Sequence, residues 1–305
     1  MMSCVYRGLR ETYPKHVIKL IASEVYLGAA LIDVAEHNPY IDEIHCIEPW
    51  EGTTITTRER WAQFANAPDV TETQLWKSAS VAIDLNTACI AYEVEACQRG
   101  GLDKPRWEIW CDHAGVKPSS YAPIYRVTPS EAEAACQLVS EHWNDGRPVV
   151  GVGLASADKR RALNVQALRD ICAGLKDQGY RPVTIDTTVK IDGYDYLIGK
   201  RIKELMPLIA QMSAVVSADS GVLHMAGTLG VPVIGIFGPT DYRMRMGNYR
   251  GSAIDSRTLM SCAPCWYDYP CLRPEGNGHK ALECLSKITP ELVVEETRRW
   301  ITGGQ

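Results

Sequence analysis

The chain is expected to be an α/β protein of two halves, each a parallel sheet with helices on both faces. Three observations predict this. Its 305 residues suffice for about two domains of ordinary size. Short apolar runs alternate with amphipathic segments of helical period, most clearly after residue 148, as βα units require. A polar, turn-forming stretch, Asn144-Asp145-Gly146-Arg147-Pro148, separates two such series and leads directly into a buried strand. The expected division is therefore 1–146 and 147–305.

Composition bounds the function. Hydrophobic residues make up 46% and charged residues 23%, typical of a folded globular chain. The net charge of −5 supplies no basic field, so no nucleic-acid partner is expected. The most apolar stretch, Val17 to Ala35, is interrupted by Lys19, Glu24 and Asp33, so no transmembrane segment is expected. No charged n-region precedes an apolar run at the start, so no secretory signal is read and the default compartment is cytoplasmic. Peripheral membrane contact stays open.

Taken in order, Met2 to Glu11 reads as a helix stopped at Tyr13-Pro14, and His16 to Ala22 as a strand. Ser23 to Glu36 reads as a helix and Glu43 to Ile47 as a strand. Residues 50–79 are polar and Thr-rich and read as a loop-and-helix excursion. Val81 to Leu85 is an expected strand, Thr87 to Arg99 a helix, and Arg106 to Cys111 a strand. Pro129 to Trp143 is a helix with Thr128 as N-cap and Glu131 in its first turn. In the second half the expected strands are Pro148 to Leu154, Arg181 to Asp186, Ala214 to Ala218 and Val231 to Phe237. The helices between and after them are Asn164 to Gln178, Ile202 to Met212, Gly221 to Leu229 and Pro290 to Ile301.

The chemistry concentrates in residues 214–241, AVVSADSGVLHMAGTLGVPVIGIFGPTD. A buried strand runs into Asp219-Ser220-Gly221, where a helix starts. Asp219 or Ser220 can cap it, and Gly221 lets a ligand approach the backbone closely. A helix N-terminus offers unpaired N–H groups and about half a positive charge, which suits a phosphate. Ser220 and His224 are four apart and share one helix face, so the imidazole leans toward that end. The next strand delivers Gly238-Pro239-Thr240-Asp241 to the same carboxyl edge, where parallel α/β sheets bind ligands.

The pattern D-S-G-x-x-H-x-A-x-x-x-G-x-P, then a strand, then F-G-P-T-D, resembles the donor-binding signature of family 9 glycosyltransferases, which include the ADP-heptose:lipopolysaccharide heptosyltransferases. The resemblance runs over residues 148–300. It implies a GT-B fold, two Rossmann-like domains with a cleft between them and the donor held mostly by the C-terminal one. It implies sugar transfer, of heptose by family prior, from a nucleotide-diphosphate donor to a glycan or glycolipid acceptor in lipopolysaccharide biosynthesis. Asp219, Ser220, Gly221, His224, Gly238, Pro239 and Thr240 fall on the donor loops. The loop after the 148–154 strand carries Lys159 and Arg160, matching a family position whose cation reaches the donor phosphates; a cation there would offset the departing diphosphate. The Trp-Pro pair usual just afterward is replaced by Ala162-Leu163.

Of 11 cysteines, Cys262, Cys265, Cys271 and Cys284 fall close together, with His279 between the last two. Their spacing is compatible with a structural zinc site, with packed thiols or with disulfides, and all three readings stay open. GT-B transfer generally needs no bound metal, so no catalytic cofactor is expected.

At the front, Tyr6 to Pro14 resembles the family helix that follows the first strand and a Gly-Asp loop, which by this alignment lie before residue 1. The family's proposed general base is an aspartate in that loop, and no residue here matches it; Asp84 and Asp112 are the alternatives that follow strand-like runs. This leaves two other function classes open, a non-catalytic nucleotide-sugar-binding homologue and a GT-B-like nucleotide-sugar epimerase. A dehydrogenase is disfavoured, since no G-x-G-x-x-G opens a helix after a strand.

Overall fold

A computed structural model describes residues 3–23, 29–47, 74–83, 85, 88–98, 101–186, 190–265 and 283–303. It is an α/β protein with open parallel sheets. In the first half, helix α1 (Ser3–Thr12) is followed by strand β1 (Lys19–Ser23), helix α2 (Ala29–Glu36) and strand β2 (Glu43–Ile47). β1 and β2 pair in parallel, with Lys19 opposite Glu43. Then come helices α3 (Gln74–Lys77), α4 (Ala88–Gln98), α5 (Arg106–His113) and α6 (Pro129–His142). α6 begins as expected: Thr128 caps it, accepting from the Glu131 N–H, while the Glu131 carboxylate reaches back to the Thr128 N–H.

The second half carries strands β3 (Val149–Gly153), β4 (Arg181–Asp186), β5 (Asp195–Ile198), β6 (Ala214–Ala218), β7 (Val233–Phe237) and β8 (Gly251–Asp255). All pair in parallel, in the order β5-β4-β3-β6-β7-β8. The strand order reverses between β3 and β6, the place where a doubly wound sheet opens a crevice at its carboxyl edge. Helices α7 (Val165–Asp177), α8 (Ile202–Ile209), α9 (Gly221–Thr228), α10 (Arg243–Met246), α11 (Glu283–Ser286) and α12 (Pro290–Thr302) complete the described elements. β3, β6 and β7 are buried along their full length, as strands covered on both faces must be. One face packs Leu168, Ile171 and Leu175 of α7 and Val293 of α12; the other packs Leu208 and Ile209 of α8 and Leu223 and Ala226 of α9. Ala135, Val139 and Trp143 join the second of these cores, so α6 rests on the six-stranded sheet through α8.

Several expectations are corrected. Arg106 to Cys111 is helical, not a strand, within α5. Trp107, Ile109 and Cys111 are buried alternately, which imitates a strand's period. The helix is short and packs against both α4 and α1, so residues on two of its sides are covered: Trp107 and Cys111 meet Cys4 and Val5, and the Trp107 ring also closes on Gly247. Val81 to Ile83 and Leu85 form no strand, while Asp84 and most of the 50–79 excursion lie outside the described residues. β5 and β8 went unread because they are edge strands: Asp195 and Tyr196 are exposed, and β8 opens Gly-Ser-Ala with little apolar signal.

Candidate functional site

The crossover geometry brings two loops together. The loop after β3 and the Asp219-Ser220-Gly221 turn after β6 leave adjacent strands at the switch point, and Ser156 Oγ donates to the Asp219 carbonyl at 3.1 Å. Ser220 occupies the N-cap position of α9 with extended backbone, φ −148° and ψ 178°, but its side chain makes no capping hydrogen bond. Its Oγ lies 3.2 Å from Ser217 Oγ instead. Gly221 is exposed, and a Cβ placed on it would meet no atom within 4 Å, so the first turn of α9 faces open space.

Asp219 does not cap the helix. Its carboxylate is buried, with Arg161 Nη1 at 3.3 Å and Arg245 Nε at 3.7 Å from Oδ2 and His224 Nε2 at 3.9 Å from Oδ1. Burial pushes the Asp219 carboxyl up, but the opposing pull of Arg245 and Arg161, with smaller help from His224 and Thr240, holds the group below the usual carboxylate range. Neither Arg161 nor Arg245 stands out in the sequence. Arg161 lies beside Lys159 and Arg160, and spacing alone cannot choose among three consecutive cations. In the structure Arg160 folds back onto Asp158 at 2.9 Å, Lys159 is exposed, and Arg161 reaches Asp219.

Arg245 also joins the two halves. Its Nη1 lies 3.4 Å from Glu93 Oε1 of α4, and Arg106 of α5 clasps the same carboxylate with Nε at 2.7 Å and Nη2 at 2.8 Å. Glu93 and Arg245 are both buried. The chain Arg106–Glu93–Arg245–Asp219–Arg161 holds three cations and two carboxylates, a net charge of +1 beside the open N-terminus of α9. Such a cluster suits a bound anion. A second link between the halves runs through Asp33 of α2, whose buried carboxylate pairs with Arg201 and accepts the Lys203 N–H at 3.3 Å in the first turn of α8.

The Gly238-Pro239-Thr240 loop leaves the carboxyl end of β7. All three residues are buried. A Cβ on Gly238 would lie 2.8 Å from Leu285 and 3.1 Å from Cys284 Sγ, so this glycine serves close packing against α11. The Gly238 carbonyl accepts from Ser256 Oγ at 2.7 Å, and the Pro239 carbonyl from the Cys265 N–H at 2.9 Å. Cys265 and Cys284 thus flank one loop, while Cys271 and His279 lie outside the described residues. Asp112 is exposed on α5 and pairs with Lys104 at 2.7 Å.

His224 is held neutral by burial, which brings its pKa down to about 3. An unfolded histidine titrates near about 6.5. The unfolded chain therefore binds the proton first as pH falls, and His224 withdraws stability between about pH 6.5 and 3, with a slope of at most about 1.4 kcal/mol per pH unit. His224→Gln should flatten the pH dependence of urea-unfolding free energy across that window; an unchanged slope would show that the imidazole is not held neutral.

Residues 192–271 match the model of Glycosyltransferase family 9 (heptosyltransferase), a span holding the Asp219 turn, His224, the Gly238 loop and Arg245. The chain is family 9-like. The match is narrower than the 148–300 resemblance and leaves the Arg161 loop outside it. The family 9-like fold extends further. A family 9 glycosyl transferase from Veillonella parvula DSM 2008 superposes with a TM-score of 0.68 at 16% identity, covering 98% of this chain and 92% of that one. The E. coli ADP-heptose lps heptosyltransferase II gives 0.64 at 17% identity, covering 98% and 94%. E. coli heptosyltransferase WaaC with ADP gives 0.54 at 12% identity, covering 97% and 95%. A comparison with curated proteins finds no match. Among the described residues, no helix is long and apolar enough to cross a membrane.

Proposed function

We propose that this protein transfers a sugar from a nucleotide-diphosphate donor to a glycan or glycolipid acceptor, with the diphosphate seated at the N-terminus of α9. The observation that carries the reading is the cationic excess around Asp219 beside the open face of Gly221. The donor's diphosphate would lie over Ser220 and Gly221. Arg161 is the nearest cation of the β3 loop, and Lys159 is an exposed one in the same loop. As the glycosidic bond breaks, negative charge grows on the leaving diphosphate, and fixed cations and helix N–H groups stabilise that state more than the ground state. Heptose is the sugar favoured by the family resemblance. An E. coli heptosyltransferase of similar fold was solved with ADP, which makes ADP the first nucleotide to try.

The test is calorimetric titration of the chain with ADP, UDP, GDP and CDP, repeated with Arg161→Ala, Lys159→Ala and His224→Ala. One nucleotide is expected to bind. A lost hydrogen bond to a charged group is worth about 1.5–3 kcal/mol, so Arg161→Ala should weaken binding by about 10- to 100-fold, and Lys159→Ala by less because its charge is solvated. If a folded chain binds none of the four, the donor-site reading fails.

A further inference from the structure

His224 is gripped from one side by a residue that no motif includes. Tyr249 lies between α10 and β8, with its backbone N–H bound to the Met246 carbonyl at 2.8 Å. Its hydroxyl lies 2.9 Å from His224 Nδ1, and the two rings meet edge to face with centroids 5.8 Å apart. The ring fills the place where Gly227 has no side chain: a Cβ on Gly227 would lie 2.3 Å from Tyr249 Cγ. The bare backbone of α9 at Gly227 is what lets the tyrosine lie against the helix and reach the histidine one turn earlier.

A neutral imidazole has one N–H and one lone pair, and its neighbours decide which nitrogen carries which. Nε2 faces Asp219 Oδ1 at 3.9 Å. A lone pair there would oppose a carboxylate, whereas an N–H is attracted to it. With the hydrogen on Nε2, Nδ1 is an acceptor and takes the Tyr249 O–H. Burial raises the Tyr249 phenol above its ordinary value, so it keeps the proton it donates. Asp219 selects this tautomer, and the Tyr249 hydroxyl, turned to donate, locks it by occupying the Nδ1 lone pair.

We propose that Tyr249 is a positioning residue that fixes His224 as the Nε2–H tautomer and holds this N–H on the Asp219 side of the ring, at the start of α9 where the anion is seated. The anion is the donor diphosphate of the preceding section, and to that extent the inference rests on it. Tyr249 itself touches neither sugar nor phosphate; it acts through His224. Without the phenol O–H, only the 3.9 Å contact with Asp219 opposes turning of the ring or transfer of its hydrogen to Nδ1, and the donor loses a firmly directed N–H.

The experiment is long-range ¹H–¹⁵N NMR of the full chain labelled at histidine, with His224 assigned by the signal missing in His224→Gln. The wild-type protein should show a protonated Nε2 and an unprotonated Nδ1 at neutral pH. In Tyr249→Phe, which keeps the ring, that pattern should give way to a mixture of tautomers. A wild-type Nδ1–H signal overturns the proposal before any variant is made, and so does a Tyr249→Phe spectrum identical to wild type. ADP titration of the same samples should show Tyr249→Phe weakening binding about three- to tenfold, the effect of one hydrogen bond. If the tautomer behaves as stated but ADP does not bind the wild-type chain, the positioning role stands and the donor reading fails; equal ADP affinity in both proteins overturns the link between tautomer and anion.

Discussion

Glu93→Ala should destabilise the protein by about 3–5 kcal/mol, the cost of breaking a buried charge pair by removing one partner. Glu93 is fully buried and holds two guanidinium groups, Arg106 at 2.7 and 2.8 Å and Arg245 at 3.4 Å. Alanine would leave both arginines near one another without their shared carboxylate, and Arg245 is itself almost completely buried. The repulsion would not stay local. Arg245 would be left with Asp219 as its remaining acidic partner in this chain of contacts, 3.7 Å away, so the change would reach the donor turn. Glu93→Gln keeps the shape and one acceptor and should cost less than alanine. Urea denaturation with probes in both halves would measure this. A loss below about 1 kcal/mol for Glu93→Ala would mean that water already screens the cluster.

How much of this was legible in the sequence depended on the kind of signal each residue leaves. The central strands β3, β6 and β7 were readable because burial on both faces forces continuous apolar runs. The α6 start was readable because Thr128 and Glu131 interact within one turn. The turn Asp219-Ser220-Gly221 and His224 were found because strand, turn and helix are local, and the structure gathers Asp219, Gly221 and His224 at one edge. The ion-pair chain was not readable, because its members come from five separated places and meet only through the sheet order. Glu93 is the sharpest case. On α4, Ile90 and Val94 are 45% and 41% exposed while Glu93 is fully buried, the reverse of what side-chain polarity suggests. A buried glutamate is tolerated there because two arginines from elsewhere in the chain reach it, which no window of α4 could reveal. The Gly238 loop shows the reverse case: a local pattern marks the turn, while its cover, Leu285, Cys284 and Cys265, comes from distant residues that no window of the loop could reveal.

Gly251→Ala is expected to be about as damaging as the loss of Glu93, through the backbone and not through charge. Gly251 opens β8 with φ +144°, a conformation that L side chains rarely adopt. A Cβ there would lie 1.9 Å from the Val233 carbonyl oxygen and 2.6 Å from its nitrogen, atoms of the neighbouring strand that cannot rotate away. Strain of this kind costs about 1–3 kcal/mol, and forced overpacking about 1–3 kcal/mol more. β8 pairs with β7 from Gly251 opposite Val233 to Asp255 opposite Phe237, so relief requires the edge strand to separate at its first pair. The disturbance would travel along β8 to Ser256, whose hydroxyl holds the Gly238 carbonyl, and would loosen the loop packed beneath Cys265 and Cys284. Hydrogen exchange should therefore show lost protection in β8 and in 238–240 while β3 and β4 stay protected. Uniform loss would mean that the sheet unfolds as one unit, and no loss would mean that β8 is not held in this register. The edge strand the sequence concealed would then be the one that secures the loop after β7.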